Sequence, residues 1–217
     1  MFVHKHPYPP FLQKDTRKLI VGTLPPPRFS TGELIESDVD FCYGSSYNSL
    51  WRYIDRIHSL NLRYDNSNKA IEQRKRYLIE NQIGIFDIVQ QCTRQKIDAS
   101  DLGMKDVILR DLIGSLANYP SVEMLLFIGG KSKNGPEYFF RQQARSYGIP
   151  LKVISPKTPR QHLLYIDDRP VETVSLTSSS GAANISIGSN PEYKKLKAEN
   201  PDFNPFDFRI RQYSAFL

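Results

Sequence analysis

Residues 19–29 read Leu-Ile-Val-Gly-Thr-Leu-Pro-Pro-Pro-Arg-Phe, and no other stretch limits the fold as strongly. The apolar run suits a buried parallel strand, and Gly22 followed by Pro25, Pro26 and Pro27 forces the chain out of it as a rigid, non-helical loop. In an open α/β sheet, ligands bind in the crevice outside the carboxyl ends of the strands. A stiff loop there can present backbone N–H groups to a ligand; a plain strand exit is the other reading.

The remaining pattern alternates. Residues 1–16 are rich in proline and aromatics, which suits an extended arm lying over the domain. Residues 41–51 form a small-residue turn running into a helix whose buried face is Leu50, Trp51, Ile54 and Ile57. A second helical pattern covers about 69–81 and leads into a strand over 83–88. Residues 106–117 place Ile108, Leu109, Leu112, Ile113 and Leu116 on one helical face. The most apolar strand follows at 124–128, and a helix over 136–147 is bracketed by Pro136 and Gly148. Residues 151–154 and 171–176 read as strands, with a turn at Asp167-Asp-Arg-Pro able to close a hairpin between them. Asn190-Pro191 and Asn204-Pro205 look like N-caps with proline at the first helical position, so two short helices end the chain.

Strands separated by helices imply a three-layer α/β/α sandwich with a central, mainly parallel sheet. The chain has 217 residues, 40% hydrophobic and 24% charged, which fits one domain over 1–217. No apolar run approaches the ~20 residues of a membrane helix, so the expectation is a soluble, intracellular, cytoplasmic monomer. Cys42 and Cys92 lack metal or disulfide spacing; no metal and no cofactor is expected. The formal charge of +6 has the sign expected of a protein that meets phosphate backbones.

Three polar loops, 22–29, 41–49 and 177–185, can converge on one crevice. In combination they resemble the uracil-DNA glycosylase superfamily, in particular its mismatch-specific uracil/thymine and hypoxanthine branches. Gly22-Thr-Leu-Pro-Pro26 is similar to a first motif Gly-x-Asn-Pro-Gly or Gly-Ser-Met-Pro-Gly. Phe41-Cys-Tyr-Gly-Ser-Ser-Tyr-Asn-Ser-Leu-Trp51 is similar to Tyr-Tyr-small-x-Pro-x-Asn-x-Phe-Trp. Gly84-Ile-Phe-Asp-Ile-Val-Gln-Gln-Cys-Thr-Arg94 with Asp98 matches, less one residue, a pattern of the hypoxanthine branch. Leu176-Thr-Ser-Ser-Ser-Gly-Ala182 lies where those families have Leu-Pro-Asn-Pro-Ser-Gly-Leu. The resemblance runs from about residue 18 to the end, excepting 155–170, which looks like an insertion.

The resemblance implies a monofunctional, metal-free DNA glycosylase that hydrolyses the N-glycosidic bond of a flipped-out uracil, hypoxanthine, xanthine or mispaired thymine. Such an enzyme must unstack the nucleotide, hold the base by stacking and edge hydrogen bonds, and stabilise charge on the departing base. It implies Asn48 and Ser178 as catalytic, and Gly22, Thr23, Leu24, Pro25, Tyr43, Ser179, Ser180 and Gly181 as contacts to the base. Lys157, Arg160 and Ile185 would meet DNA. Tyr43 is the stacking platform or a rim aromatic; Asn48 reads the base or orients water, or else caps a helix; Ile185 and Ile187 form a wedge or simply pack. The chain departs from the family where it carries Leu24, which cannot polarise water, and Ser178, only a weak neutral donor. Those departures support a second reading, a non-catalytic nucleic-acid or nucleobase-binding module on the same fold. An unrelated phosphate-binding α/β enzyme is disfavoured because the loop has neither a Walker nor a G-x-G-x-x-G arrangement.

Overall fold

The computed structural model describes residues 1–130 and 132–217. It begins with strand β1 (Phe2–Lys5) and β2 (Lys18–Val21), followed by helices α1 (Pro27–Thr31), α2 (Leu50–His58) and α3 (Asn68–Glu80). Strands β3 (Ile83–Ile85), β4 (Val89–Arg94) and β5 (Lys105–Leu109) precede α4 (Leu112–Leu116), β6 (Met124–Ile128) and α5 (Pro136–Ser146). Three strands come next, β7 (Lys152–Ser155), β8 (Arg160–Ile166) and β9 (Arg169–Leu176). Helices α6 (Asn184–Gly188), α7 (Pro191–Glu199) and α8 (Pro205–Tyr213) complete the chain.

The larger sheet has the order β3-β2-β6-β9-β8-β7. Its first four strands run parallel, β8 runs antiparallel to β9, and β7 antiparallel to β8. The expected mainly parallel sheet is therefore corrected to a mixed one. The reason is local: Ile166 pairs with Arg169, and Asp167 and Asp168 between them both have positive φ (48° and 62°), a two-residue turn that can join only antiparallel strands.

The parallel half is buried on both faces, which explains its unbroken apolar runs. Leu19, Val21, Leu125 and Phe127 pack toward α4 and α5, while Ile20, Leu126, Ile128 and Val174 pack toward α2, α3 and α8. Trp51 is 1% exposed in the second cluster, and its indole N–H donates to the carbonyl of Cys42 (2.8 Å), tying α2 to the loop before it.

A second sheet, β1-β4-β5, was not foreseen. The N-terminal arm enters it as β1, with Phe2 opposite Arg94, and farther on Phe11 bridges to Ile85. The helix expected over 106–117 is instead β5 followed by the short α4. Asp111 caps α4 by accepting from the Gly114 N–H (2.9 Å), so the helix starts only there. The strand expected over 83–88 stops at Ile85. The 22–29 loop is non-helical only to Pro26, since Pro27 opens α1 as its first residue, a position where its missing N–H costs nothing. Residues 155–170 contribute β8, which is paired on both sides. The caps at Asn190 and Asn204 are present, the latter as a capping box with Asp207. Among the described residues no helix is long and apolar enough to cross a membrane.

Candidate functional site

The segments that follow β2, β3 and β9 meet at one end of the larger sheet, beside Ile128 at the end of β6 and outside the carboxyl ends of its parallel strands. They enclose a slot of about 160 Å³, too small for a drug-sized ligand and suited to a single flat heterocycle. Gly22, Thr23, Leu24 and Pro25 form one wall, Tyr43 and Asn48 another, and Ser178, Ser179 and Ser180 a third. The last two walls are joined: Asn48 bridges Ser180, and the Ser49 N–H donates to the Ser179 carbonyl (3.0 Å).

Asp87, unassigned from sequence, ties this site together. Its Oδ1 accepts from the Gly22 N–H (2.9 Å) and the Tyr43 hydroxyl (2.8 Å), and its Oδ2 faces His6 Nε2 at 2.9 Å. The Tyr8 N–H donates to His6 Nδ1 (3.1 Å), which leaves the imidazole proton on Nε2 for Asp87. The N-terminal arm thus closes the back of the slot. The arrangement corrects one expectation: the Gly22 N–H is already engaged, whereas among the described residues the amides of Thr23 and Leu24 have no acceptor. Gly22 is also required sterically, because a Cβ there would lie 2.2 Å from the Tyr43 hydroxyl oxygen. Burial, then the neighbouring Asp87 carboxylate, pushes the Tyr43 phenol well up, so it remains a neutral donor. Its ring is held at the slot by that bond and by a backbone at φ 58°.

Asn48 is anchored at the start of α2. Its Oδ1 accepts from the Leu50 N–H (2.9 Å), fixing the amide orientation, since only the oxygen can accept. Among the described residues the Nδ2 amino group has no hydrogen-bond partner, and the residue lines the slot. The turn carrying Asn48 is braced from below by Asp38, fully buried, which accepts from Arg28 Nε and Nη2 (2.7 and 2.8 Å) and from the amides of Ile35 and Ser46. Burial pushes the Asp38 carboxyl up, but Arg28 and the two amides outweigh it and hold the group below its ordinary range.

The serine loop is clamped by α8. Arg209, 2% exposed, donates to the carbonyls of Ser178 (2.9 Å) and Ser180 (3.2 Å) and to Asn184 Oδ1 (2.7 Å). Gln212 and Tyr213 fix Thr177 on either side. Ser178 Oγ accepts from the Ser180 N–H (3.2 Å), leaving its own proton free to donate. Ser179 lines the slot, and among the described residues its buried hydroxyl has no hydrogen-bond partner. Gly181 starts a 3-10 turn and does not line the slot.

A wider cavity of about 570 Å³ adjoins the slot and shares Asp101, Ile128 and Ser178 with it. Arg160 lines this cavity while bonding Glu137 (2.6 Å); Lys157 is exposed and lines neither space. Ile185 is 88% exposed on α6, whereas Ile187 is buried, so of the two wedge candidates Ile187 packs and Ile185 projects.

Fold and site together define an α/β protein with a ligand slot at the carboxyl edge of its sheet. Comparison with known proteins narrows this. Two Methanosarcina proteins described as hypoxanthine DNA glycosylases are similar over 128 residues, 59% of this chain and 73% of each relative. The protein of Methanosarcina acetivorans is 27% identical and that of Methanosarcina barkeri 26%. A solution NMR structure from Methanosarcina acetivorans, provisionally assigned as a uracil DNA glycosylase, superposes with a TM-score of 0.55 at 21% identity, covering 95% of this chain and 98% of the other; at that identity the likeness concerns the fold. No family model matches the chain. In sequence the chain is thus similar to proteins described as hypoxanthine DNA glycosylases, and in fold to the Methanosarcina acetivorans structure.

Proposed function

We propose that this protein is a DNA glycosylase that hydrolyses the N-glycosidic bond of a deaminated or mispaired base, with hypoxanthine and uracil the first bases to test. The observation that carries the reading is the convergence of Tyr43, Asn48 and the serine loop on one base-sized slot. The base would stack on Tyr43. Its edge would meet the Asn48 amino group and the Thr23 and Leu24 amides. Donors aimed where negative charge develops on the departing base favour the transition state over the ground state. Among the described residues no lysine lines the slot, which supports a monofunctional hydrolase over a Schiff-base lyase. We read the architecture as a single α/β/α sandwich domain that works in solution without a cofactor.

Leu24 favours a second reading, a binding module without catalysis. It lines the slot and packs against the core, so the first motif supplies no carboxylate for water. The deciding experiment incubates the protein with duplex and single-stranded oligonucleotides carrying uracil, hypoxanthine, xanthine or mispaired thymine, followed by alkaline cleavage. Strand scission at one of these bases supports the glycosylase; tight binding with no scission supports the module.

Either reading places phosphates near the slot, with Lys157, Arg160 and the projecting Ile185 as the DNA contacts. Duplex affinity should therefore fall with salt, log K dropping with log salt at a slope of about −0.9 per phosphate neutralised. Titration by fluorescence anisotropy between low and moderate salt measures the slope. A flat line would exclude phosphate contacts.

A further inference from the structure

We propose that Asp101 is a catalytic residue, the base that activates the water attacking the sugar. The inference rests on the glycosylase reading and supplies the group that Leu24 cannot.

Two carboxylates line the slot, Asp87 and Asp101. Asp87 is saturated, with Gly22 and Tyr43 on one oxygen and His6 on the other. Asp101 is not: its Oδ1 accepts from the Thr23 hydroxyl (2.7 Å), and among the described residues Oδ2 has no partner. Its backbone is anchored by Asn134, whose amide donates to the Asp101 carbonyl (3.1 Å) and to that of Met104 (3.2 Å). A half-buried carboxylate held at both backbone and Oδ1 presents its remaining oxygen in a fixed direction.

Its position fits the bond to be cut. Asp101, Ile128 and Ser178 border both the slot and the wider cavity. With the base in the slot and its sugar and phosphate in the wider cavity beside Arg160, the glycosidic bond crosses the boundary that Asp101 forms. Water held by Oδ2 then attacks C1′ as the C1′–N bond breaks. The bond's electron pair leaves with the base, the water proton passes to Asp101, and that proton then goes to the departing base nitrogen. The products are a free base and an abasic sugar carrying the water oxygen.

The surroundings tune the group for this task. Burial raises the Asp101 carboxyl to about 6, with nearby Asp87 adding to the rise and the Thr23 hydroxyl and Arg94 opposing it. Arg94 and Cys92 face it from β4, Asp87 from the segment after β3, and Arg160 lies on the adjoining cavity. A base poised near the working pH is the more effective one.

The test is single-turnover excision from duplexes carrying hypoxanthine or uracil, between pH 4.5 and 8, by the parent, Asp101→Asn and Asp101→Ala, with circular dichroism on each. The parent rate should rise as pH increases through about 6 and then level. Asp101→Asn, which still accepts from Thr23, should lose on the order of 10² or more in rate and lose the inflection, and sodium formate should restore part of the Asp101→Ala activity. Parental rate and profile in a folded Asp101→Asn would overturn the proposal. So would a parent rate that falls as pH rises through 6, which would make Asp101 a general acid. If Asp101→Asn does not fold, absence of formate rescue in folded Asp101→Ala overturns it. A parent inactive on both bases overturns the glycosylase reading and the role of Asp101 with it, an outcome distinct from an active parent indifferent to Asp101.

Discussion

Asn48→Ala is expected to lower single-turnover excision by roughly 10²–10³, the loss typical of one preorganised polar contact to developing charge, while the protein stays folded. Two effects must be separated, because the side chain does two things. Its Oδ1 accepts from the Leu50 N–H at the start of α2, and the residue lines the slot. Loss of that hydrogen bond alone costs about 1 kcal/mol of stability. Asn48→Asp separates them: the carboxylate still accepts from Leu50 but cannot donate, and its charge opposes the charge growing on the base. It should retain stability and lose activity at least as severely as Asn48→Ala. Excision rates beside urea unfolding midpoints for both variants make the measurement. A folded Asn48→Asp that excises at the parental rate would reduce Asn48 to an anchor for the start of α2.

Sequence readability followed the range of the interactions. The strand at 19–21, its Gly-Pro exit and the Asn-Pro caps were legible because each is fixed by residues within a few positions. That Tyr43 and Asn48 come to one slot is legible because they lie in one short motif. Asp87 carries one local signal: a carboxylate inside the apolar run Ile83 to Ile88 must have partners if buried. Those partners, Gly22, Tyr43 and His6, are up to 81 residues away, and no local pattern names them. Asp101 sits in a polar stretch with no periodicity. The 105–109 strand was misread as helix because Ile108 and Leu109 suit both periods, and pairing with β4 decided between them.

The largest stability effect is expected at Glu137, which holds two residues of the wider cavity, Arg160 and Ser175. The residue is 2% exposed on the first turn of α5, and its carboxylate accepts from Arg141 Nε (2.8 Å), Arg160 Nη2 (2.6 Å) and the Ser175 hydroxyl (2.7 Å). Burial pushes its carboxyl up, but these three donors prevail and hold it below its ordinary range. Glu137→Ala would leave two guanidinium groups converging with no anion between them, and removing one member of a buried charged cluster costs about 3–5 kcal/mol. Urea unfolding should show a lower midpoint at unchanged slope; a loss under about 1 kcal/mol would mean the cluster behaves like a solvated surface pair. Acid provides an independent check with a determined sign. Because the folded carboxyl lies below its unfolded value, its contribution is present above the unfolded value, about 4.3, and disappears as pH falls through the folded one. The parent should therefore lose stability across that acid window more steeply than Glu137→Ala. Arg160 and Ser175, both bound to Glu137, also line the cavity assigned to the sugar and phosphate, so the same substitution should weaken DNA binding under conditions where the variant remains folded.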